Sequence, residues 1–161
     1  MTPIHCLTCL SNSGEHRISP GPPIYEGVGW IVEHAYPTAL LGWTVIVLRR
    51  HAEALHELTL EEFVELGQLQ RAVSLALRAE TGCEKEYSIC YAEVEGFKHI
   101  HFHMIPRAGD LTAERQGGGV FAYLKPDTEA LEPDIVAECC ERLRELVDRH
   151  MNGLEIAGTT R

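Results

Sequence analysis

The sequence predicts an α+β fold: an antiparallel sheet with one long central helix and a C-terminal helix. Short β-branched runs between turn residues predict the strands. Two stretches with apolar residues at helical spacing predict the helices. The 161 residues have room for one domain, assigned over 1–161 with a frayed tail at 152–161.

Residues 1–24 are mostly punctuation, with Gly14, Pro20, Gly21, Pro22 and Pro23. Gly29 to Ala35 reads as a short strand, Pro37 to Gly42 as a turn, and Thr44 to Leu48 as a β-branched strand. A hairpin is the simplest connection between the two strands. Thr59 with Glu62 three residues later has the form of a helix capping box. Leu60, Phe63, Val64, Leu69, Val73, Ala76 and Leu77 then follow helical spacing, and Gly82 supplies the stop. Tyr87 to Val94 reads as a third long strand. Pro133 opens the last helix, where Ile135, Cys139, Leu143, Leu146 and Val147 share a face.

The formal net charge of −10 argues against an extended nucleic-acid or anionic-membrane surface, which needs a basic footprint. A small nucleotide held by a few local donors stays compatible with it. The apolar runs are short and interrupted, so no transmembrane segment is expected. The N-terminus lacks a basic region followed by an apolar stretch. A cytoplasmic protein with reduced cysteines is the expectation.

The densest chemistry lies in His99-Ile100-His101-Phe102-His103-Met104-Ile105-Pro106. A strand sends alternate side chains to opposite faces, so the three imidazoles line one face and Ile100, Phe102 and Met104 enter a core. The strand should end near Pro106, which cannot donate to a ladder. Three histidines in strict alternation suit metal binding, proton transfer or attack on phosphorus. Buried structural rings, or an open metal centre built from all three, are the rival readings.

Cys6-Leu7-Thr8-Cys9 has the two-residue gap of a zinc knuckle, or is a pair of free thiols. His51 ends the segment after the second strand, and His99 begins the histidine strand. Together with Cys6 and Cys9 they would complete a closed four-coordinate zinc site and tether residues 1–24 to the sheet. Cys83, Cys90, Cys139 and Cys140 read as small apolar residues. His5, His16, His56 and His150 carry no motif.

The segment His-Ile-His-Phe-His-Met-Ile, followed by Pro106-Arg107, resembles the motif of the histidine triad family of nucleotide hydrolases and transferases. Gly42-Trp43-Thr44-Val45-Ile46-Val47 resembles that family's glycine-led second strand. Arg50-His51 and the helix start at Leu58-Thr59 resemble the segment after it. The Cys6–Cys9 pair resembles the pair carried by zinc-containing bacterial members. The resemblance implies a histidine triad-like fold, a homodimer, and structural zinc on Cys6, Cys9, His51 and His99. It implies that His101 is the nucleophile and that His103 contacts phosphate and assists the leaving group. It also implies substrates among nucleoside phosphoramidates, dinucleoside polyphosphates and related conjugates, cleaved at the α-phosphate through a covalent nucleotidyl-histidine. A nucleotide-binding regulatory module is the alternative.

The sequence departs from the family pattern around the triad. Glu95 and Gly96 stand where glutamine and a hydroxyl residue are usual, and a carboxylate there would repel phosphate unless protonated, turned away or paired. Trp43 replaces a common histidine and reads as core packing, or as an aromatic lid over a base. His34 falls near a family asparagine and is a candidate ligand for ribose or phosphate. Arg107 is a candidate phosphate clamp, and Lys98 is not. The segment Arg115 to Tyr123, with Gly117, Gly118 and Gly119, reads as a flexible loop, or as backbone amides brought near phosphate.

Overall fold

The computed structural model describes residues 6–124 and 129–157, with side chains up to 153. His5 and residues 158–161 lie outside them. The elements are α1 (Leu7–Asn12), β1 (Tyr25–Glu26), β2 (Trp30–His34), β3 (Thr44–Leu48), α2 (Leu60–Thr81), β4 (Lys85–Ile89), β5 (His101–Arg107) and α3 (Pro133–Ala157). Short 3-10 turns cover Leu55–Glu57, Ala113–Arg115 and Gly117–Leu124. The strands form one antiparallel sheet in the order β1-β2-β3-β5-β4.

β2 and β3 form the expected hairpin, with Trp30 opposite Leu48 and His34 opposite Thr44. Gly42 leads β3 at φ 83°, and a Cβ there would stand 2.9 Å from Thr81 Cγ2. α2 begins as its capping box requires: Thr59 Oγ1 accepts from Glu62 N at 3.2 Å, and Glu62 Oε2 accepts from Thr59 N at 2.8 Å. It ends at Gly82 in the left-handed region.

One face of the sheet packs under both long helices. Trp30, Val32, Ile46, Leu48 and Met104 meet Leu66, Leu69, Val73 and Leu77 of α2 and Val136, Cys139, Leu143 and Val147 of α3. Burying each large aliphatic side chain contributes about 1.5–3 kcal/mol. The stripe differs from the expected one at both helix starts. Leu60, Phe63 and Val64 are exposed by 74%, 44% and 54%. Helical geometry explains this: Val64 lies two residues, or about 200°, from buried Leu66. On α3 the buried position is Val136, and Ile135, about 100° away, faces out. α3 also runs past Met151 to Ala157.

The opposite face carries a smaller cluster of Ala35, Trp43, Ile105 and Val120. It lies under the turn at Gly117–Leu124, which the sequence leaves as a flexible loop. Val120 is fully buried there, and Gly117 N donates to Tyr87 Oη at 3.1 Å. A Cβ at Gly119 would collide with the Glu114 carbonyl oxygen, so this glycine permits close backbone packing.

Two strand boundaries differ from the sequence reading. β4 stops at Ile89, not Val94, because its pairing with β5 ends opposite His103. The chain then leaves the sheet through Ala92 at φ 50° and Gly96 at φ 82°. β5 begins at His101, not His99, and continues through Pro106 to Arg107. Pro106 is tolerated because β3 pairing ends at Met104, so no ladder partner awaits the missing N–H.

Candidate functional site

Where β5 loses its ladder, the three histidines part company. Ile100 N donates to Ala52 O at 2.9 Å and Leu48 N donates to Ile100 O at 3.2 Å. This swings His99 towards the segment after β3. His99 is fully buried, and its Nε2 donates to Leu48 O at 2.7 Å. The lone pair on Nδ1 therefore points the other way, 3.3 Å from Cys9 Sγ and 3.7 Å from Cys6 Sγ. His51 Nδ1 lies 3.3 Å from Cys9 Sγ. One ligand atom from each of Cys6, Cys9, His51 and His99 lies within 4.8 Å of every other.

These spacings match a tetrahedron with about 2.3 Å bonds to sulfur and about 2.0 Å bonds to nitrogen, whose edges are roughly 3.3–3.8 Å. The four donors thus form a closed site of the size and softness of a structural zinc centre, with no position left open. Burial, with Cys6 alongside, pushes the Cys9 thiol up to about 12 in the absence of a cation. Burial pulls His99 down to about 4, which keeps its imidazole neutral and able to ligate. α1 hangs on this cluster: Cys6 is its N-cap, and Leu7 N donates to Gly96 O at 2.9 Å.

His101 and His103 remain together on the sheet face away from the long helices, with ring centroids 4.9 Å apart. They line a cleft of about 440 Å³ whose walls are mostly apolar. Thr8, Ser11 and Asn12 of α1 bound one side, Tyr91 and Phe97 another, and Phe121 a third. His101 Nδ1 donates to His99 O at 2.7 Å, so its Nε2 carries the lone pair. Burial lowers the pKa of His101 from its ordinary value and favours that neutral form.

His103 is held the opposite way. Trp43 Nε1 donates to His103 Nδ1 at 3.1 Å. Phe121 packs edge-on against both rings, at 5.3 Å from Trp43 and 5.1 Å from His103. Trp43 is fully buried in that cluster, which is the packing role expected for it, and it forms no lid over the cleft. Burial and the neighbouring His101 pull His103 down to about 3.

The other candidate ligands divide. His34 borders the cleft, but neither ring nitrogen is free. Its Nδ1 donates to Ala35 O at 2.7 Å and its Nε2 accepts from Gly42 N at 3.0 Å, so the ring pins the β2–β3 turn. Glu95 is turned away, its exposed carboxylate 3.3 Å from Lys98 Nζ. Gly96 spends its carbonyl on α1. Arg107 lies at the far end of β5 and pairs with Glu84 at 3.2 Å. None of these three borders the cleft.

The sequence reading passed over Glu33. Its buried carboxylate borders the cleft in the same sheet row as Val45 and His103 and pairs with Arg17 at 2.9 Å. Burial raises its pKa despite Arg17. A carboxylate directly after the apolar run Trp30-Ile31-Val32 of a strand was the available signal. Phe121 was also missed, although Val120-Phe121 after the glycine run is an apolar pair where a solvated loop would be polar.

No family model and no curated protein sequence matches the chain. Its fold is nevertheless that of solved histidine triad proteins. A hypothetical histidine triad nucleotide-binding protein from Sulfolobus tokodaii aligns with TM-score 0.68 and 21% identity, over 89% of this chain and 93% of that one. A zinc-bound histidine triad family protein from Mycobacterium smegmatis gives TM-score 0.63 and 18% identity, over 89% and 94%. A histidine triad protein from Bradyrhizobium japonicum gives TM-score 0.64 and 23% identity, over 78% and 90%.

Proposed function

We propose that the protein is a cytoplasmic, histidine triad-type nucleotide hydrolase or nucleotidyl transferase that works through a covalent nucleotidyl-histidine. The observation that carries this reading is His101. Its Nδ1 proton is committed to the His99 carbonyl, which leaves an unprotonated Nε2 in a cleft beside His103. In the first step the Nε2 lone pair forms a bond to the α-phosphorus of a nucleoside phosphoramidate, dinucleoside polyphosphate or related conjugate. The bond to the leaving group breaks, and that group departs with the electron pair. In the second step water attacks the same phosphorus, gives its proton to solvent, and releases the nucleoside monophosphate and neutral His101.

Cys6, Cys9, His51 and His99 would hold a structural zinc ion, as the spacing of their ligand atoms supports. The ion would supply charge neutralisation for two buried thiolates and a cross-link between α1 and the sheet. Two copies would associate as a homodimer. β4 supports this as an edge strand with one neighbour, as do the exposed apolar side chains at the start of α2.

Incubation with nucleoside phosphoramidates and dinucleoside polyphosphates, followed by mass spectrometry of the quenched protein, tests the reading. A nucleoside monophosphate adduct on His101 is expected, and tight binding with neither adduct nor product would sink it. That outcome would favour a binding module without turnover. One observation speaks for the module: among the described residues bounding the cleft there is no Lys or Arg to neutralise a polyphosphate.

A further inference from the structure

We propose that Trp43 is a positioning residue that locks His103 as a neutral imidazole with its proton on Nε2, making His103 a fixed hydrogen-bond donor. The lock follows from one bond. An indole N–H can only donate, so the nitrogen facing it must offer a lone pair. The partner here is Nδ1 of His103, at 3.1 Å. A neutral imidazole whose Nδ1 accepts carries its hydrogen on Nε2.

The surroundings hold both rings in this arrangement. Trp43 is fully buried, so its N–H has no solvent to turn to. Phe121 packs edge-on against both rings, and Trp43 and His103 meet edge-to-face with centroids 5.7 Å apart. Opposite His103 on β4 stands Ile89, and on β3 Val45, neither of which titrates. The ionisable groups that share the cleft are His101, whose Nδ1 proton is taken by His99 O, Glu33 in the same row, whose carboxylate is paired with Arg17, His34, whose two ring nitrogens are bonded to Ala35 O and Gly42 N, and Tyr91 and Glu93. Protonating His103 at Nδ1 would strip the buried indole N–H of its acceptor. Burial already holds the proton affinity of this ring low, near 3.

The two neighbouring histidines are therefore set in opposite tautomers by two different partners. His101 presents a lone pair at Nε2, and His103 presents a proton there. On the proposed chemistry, which this consequence rests on, His103 donates a hydrogen bond to a phosphate oxygen. It keeps its proton, because releasing it would leave an imidazolate. The leaving group departs with its electron pair and takes a proton from water. Nucleotide conjugates with acidic leaving groups, such as phosphate or a phenolate, are then favoured over those that must expel an unprotonated amine or an alkoxide.

Ring-labelled histidine in the intact, metal-loaded protein tests the lock without any substrate. Long-range 1H–15N spectra at neutral pH should show His103 with an unprotonated Nδ1 and a protonated Nε2. Trp43→Phe should convert that signal to a mixture of tautomers. A protonated Nδ1 in the wild type, or an unchanged spectrum in Trp43→Phe, would overturn the lock. If Trp43→Phe does not fold, the wild-type spectrum still decides.

Nucleoside 5′-aryl phosphates of graded leaving-group acidity test the consequence. The wild type should lose kcat/KM steeply, by about tenfold or more across the series, as the leaving group becomes more basic. Trp43→Phe should lose kcat/KM across the whole series, because the fraction of its His103 with a bare Nε2 cannot donate to the phosphate oxygen. A wild-type kcat/KM that does not vary with leaving-group acidity, or one that Trp43→Phe leaves unchanged, would overturn the consequence. Absence of turnover in both proteins would overturn the proposed function together with the consequence, while the spectra judge the lock independently.

Discussion

The carbonyl oxygen of His99 accepts the Nδ1 proton of His101 at 2.7 Å. A residue whose ring belongs to the candidate metal cluster thereby uses its backbone to set the tautomer of the ring proposed to attack phosphorus. The two roles separate cleanly in side-chain terms. On the proposed function, His101→Ala should reduce nucleotidyl transfer by at least about 10³-fold with full metal content, because only the proposed nucleophile is lost. His99→Ala should lose metal and stability first. Metal analysis and quenched-adduct mass spectrometry on the two variants distinguish these outcomes, and undiminished turnover by His101→Ala would refute the assignment.

Removing the metal should destabilise more than the N-terminus alone. Cys6 caps, and Cys9 lies within, the helix whose Thr8, Ser11 and Asn12 border the cleft. A Cys6→Ser/Cys9→Ser variant should contain no zinc when purified without added metal. If it loses about 3 kcal/mol, its Tm falls by about 6–12 °C, which calorimetry can read. Its nucleotide affinity should weaken as well, because α1 is no longer tethered. Wild-type metal stoichiometry in this variant would remove the site.

Glu95 should be nearly silent. Its carboxylate is 86% exposed and engaged with Lys98, an arrangement worth about 0–1 kcal/mol at a surface. Glu95→Gln should therefore change nucleotide KM by less than about twofold. A carboxylate facing the phosphate would behave otherwise, since removing a repulsion of about 1.4 kcal/mol tightens binding tenfold. Titration of both proteins with the same nucleotide decides between these positions.

The contrast between Glu95 and Trp43 shows what sequence periodicity can carry. Alternation in the histidine strand and the capping residues of α2 are local properties, so the sheet, the long helix and the metal donors were legible. The direction of Glu95 depends on the turn at Gly96, and a turn residue does not announce where its neighbour points. Trp43 read correctly as a core residue, but its bond to His103 crosses a strand pair separated by the whole of α2 and β4. His34 borders the cleft as a ligand position would, but its two ring nitrogens are engaged by the turn beside it, through Gly42 N and Ala35 O, and an aligned position carries no sign of that engagement.

His34 and His103 together should make the fold acid-labile in a defined window. Burial lowers the pKa of His34 below 6.5, and burial with His101 takes His103 from 6.5 to about 3. In the unfolded chain both rings bind protons near pH 6.5. Below that value the unfolded state holds more protons than the folded state, so stability present above about pH 6.5 is lost as the pH falls. For His103 the loss continues towards about pH 3 and then levels off, because there the folded ring protonates too. Each histidine titrating only in the unfolded state contributes a slope of about 1.4 kcal/mol per pH unit. His34→Gln removes one such group and leaves the metal ligands in place. Denaturant unfolding from pH 7 to pH 5 should therefore give a shallower fall for His34→Gln than for the wild type, even if the variant starts less stable. Parallel slopes would mean that His34 takes up a proton in the folded protein, at the expense of its hydrogen bond from Gly42.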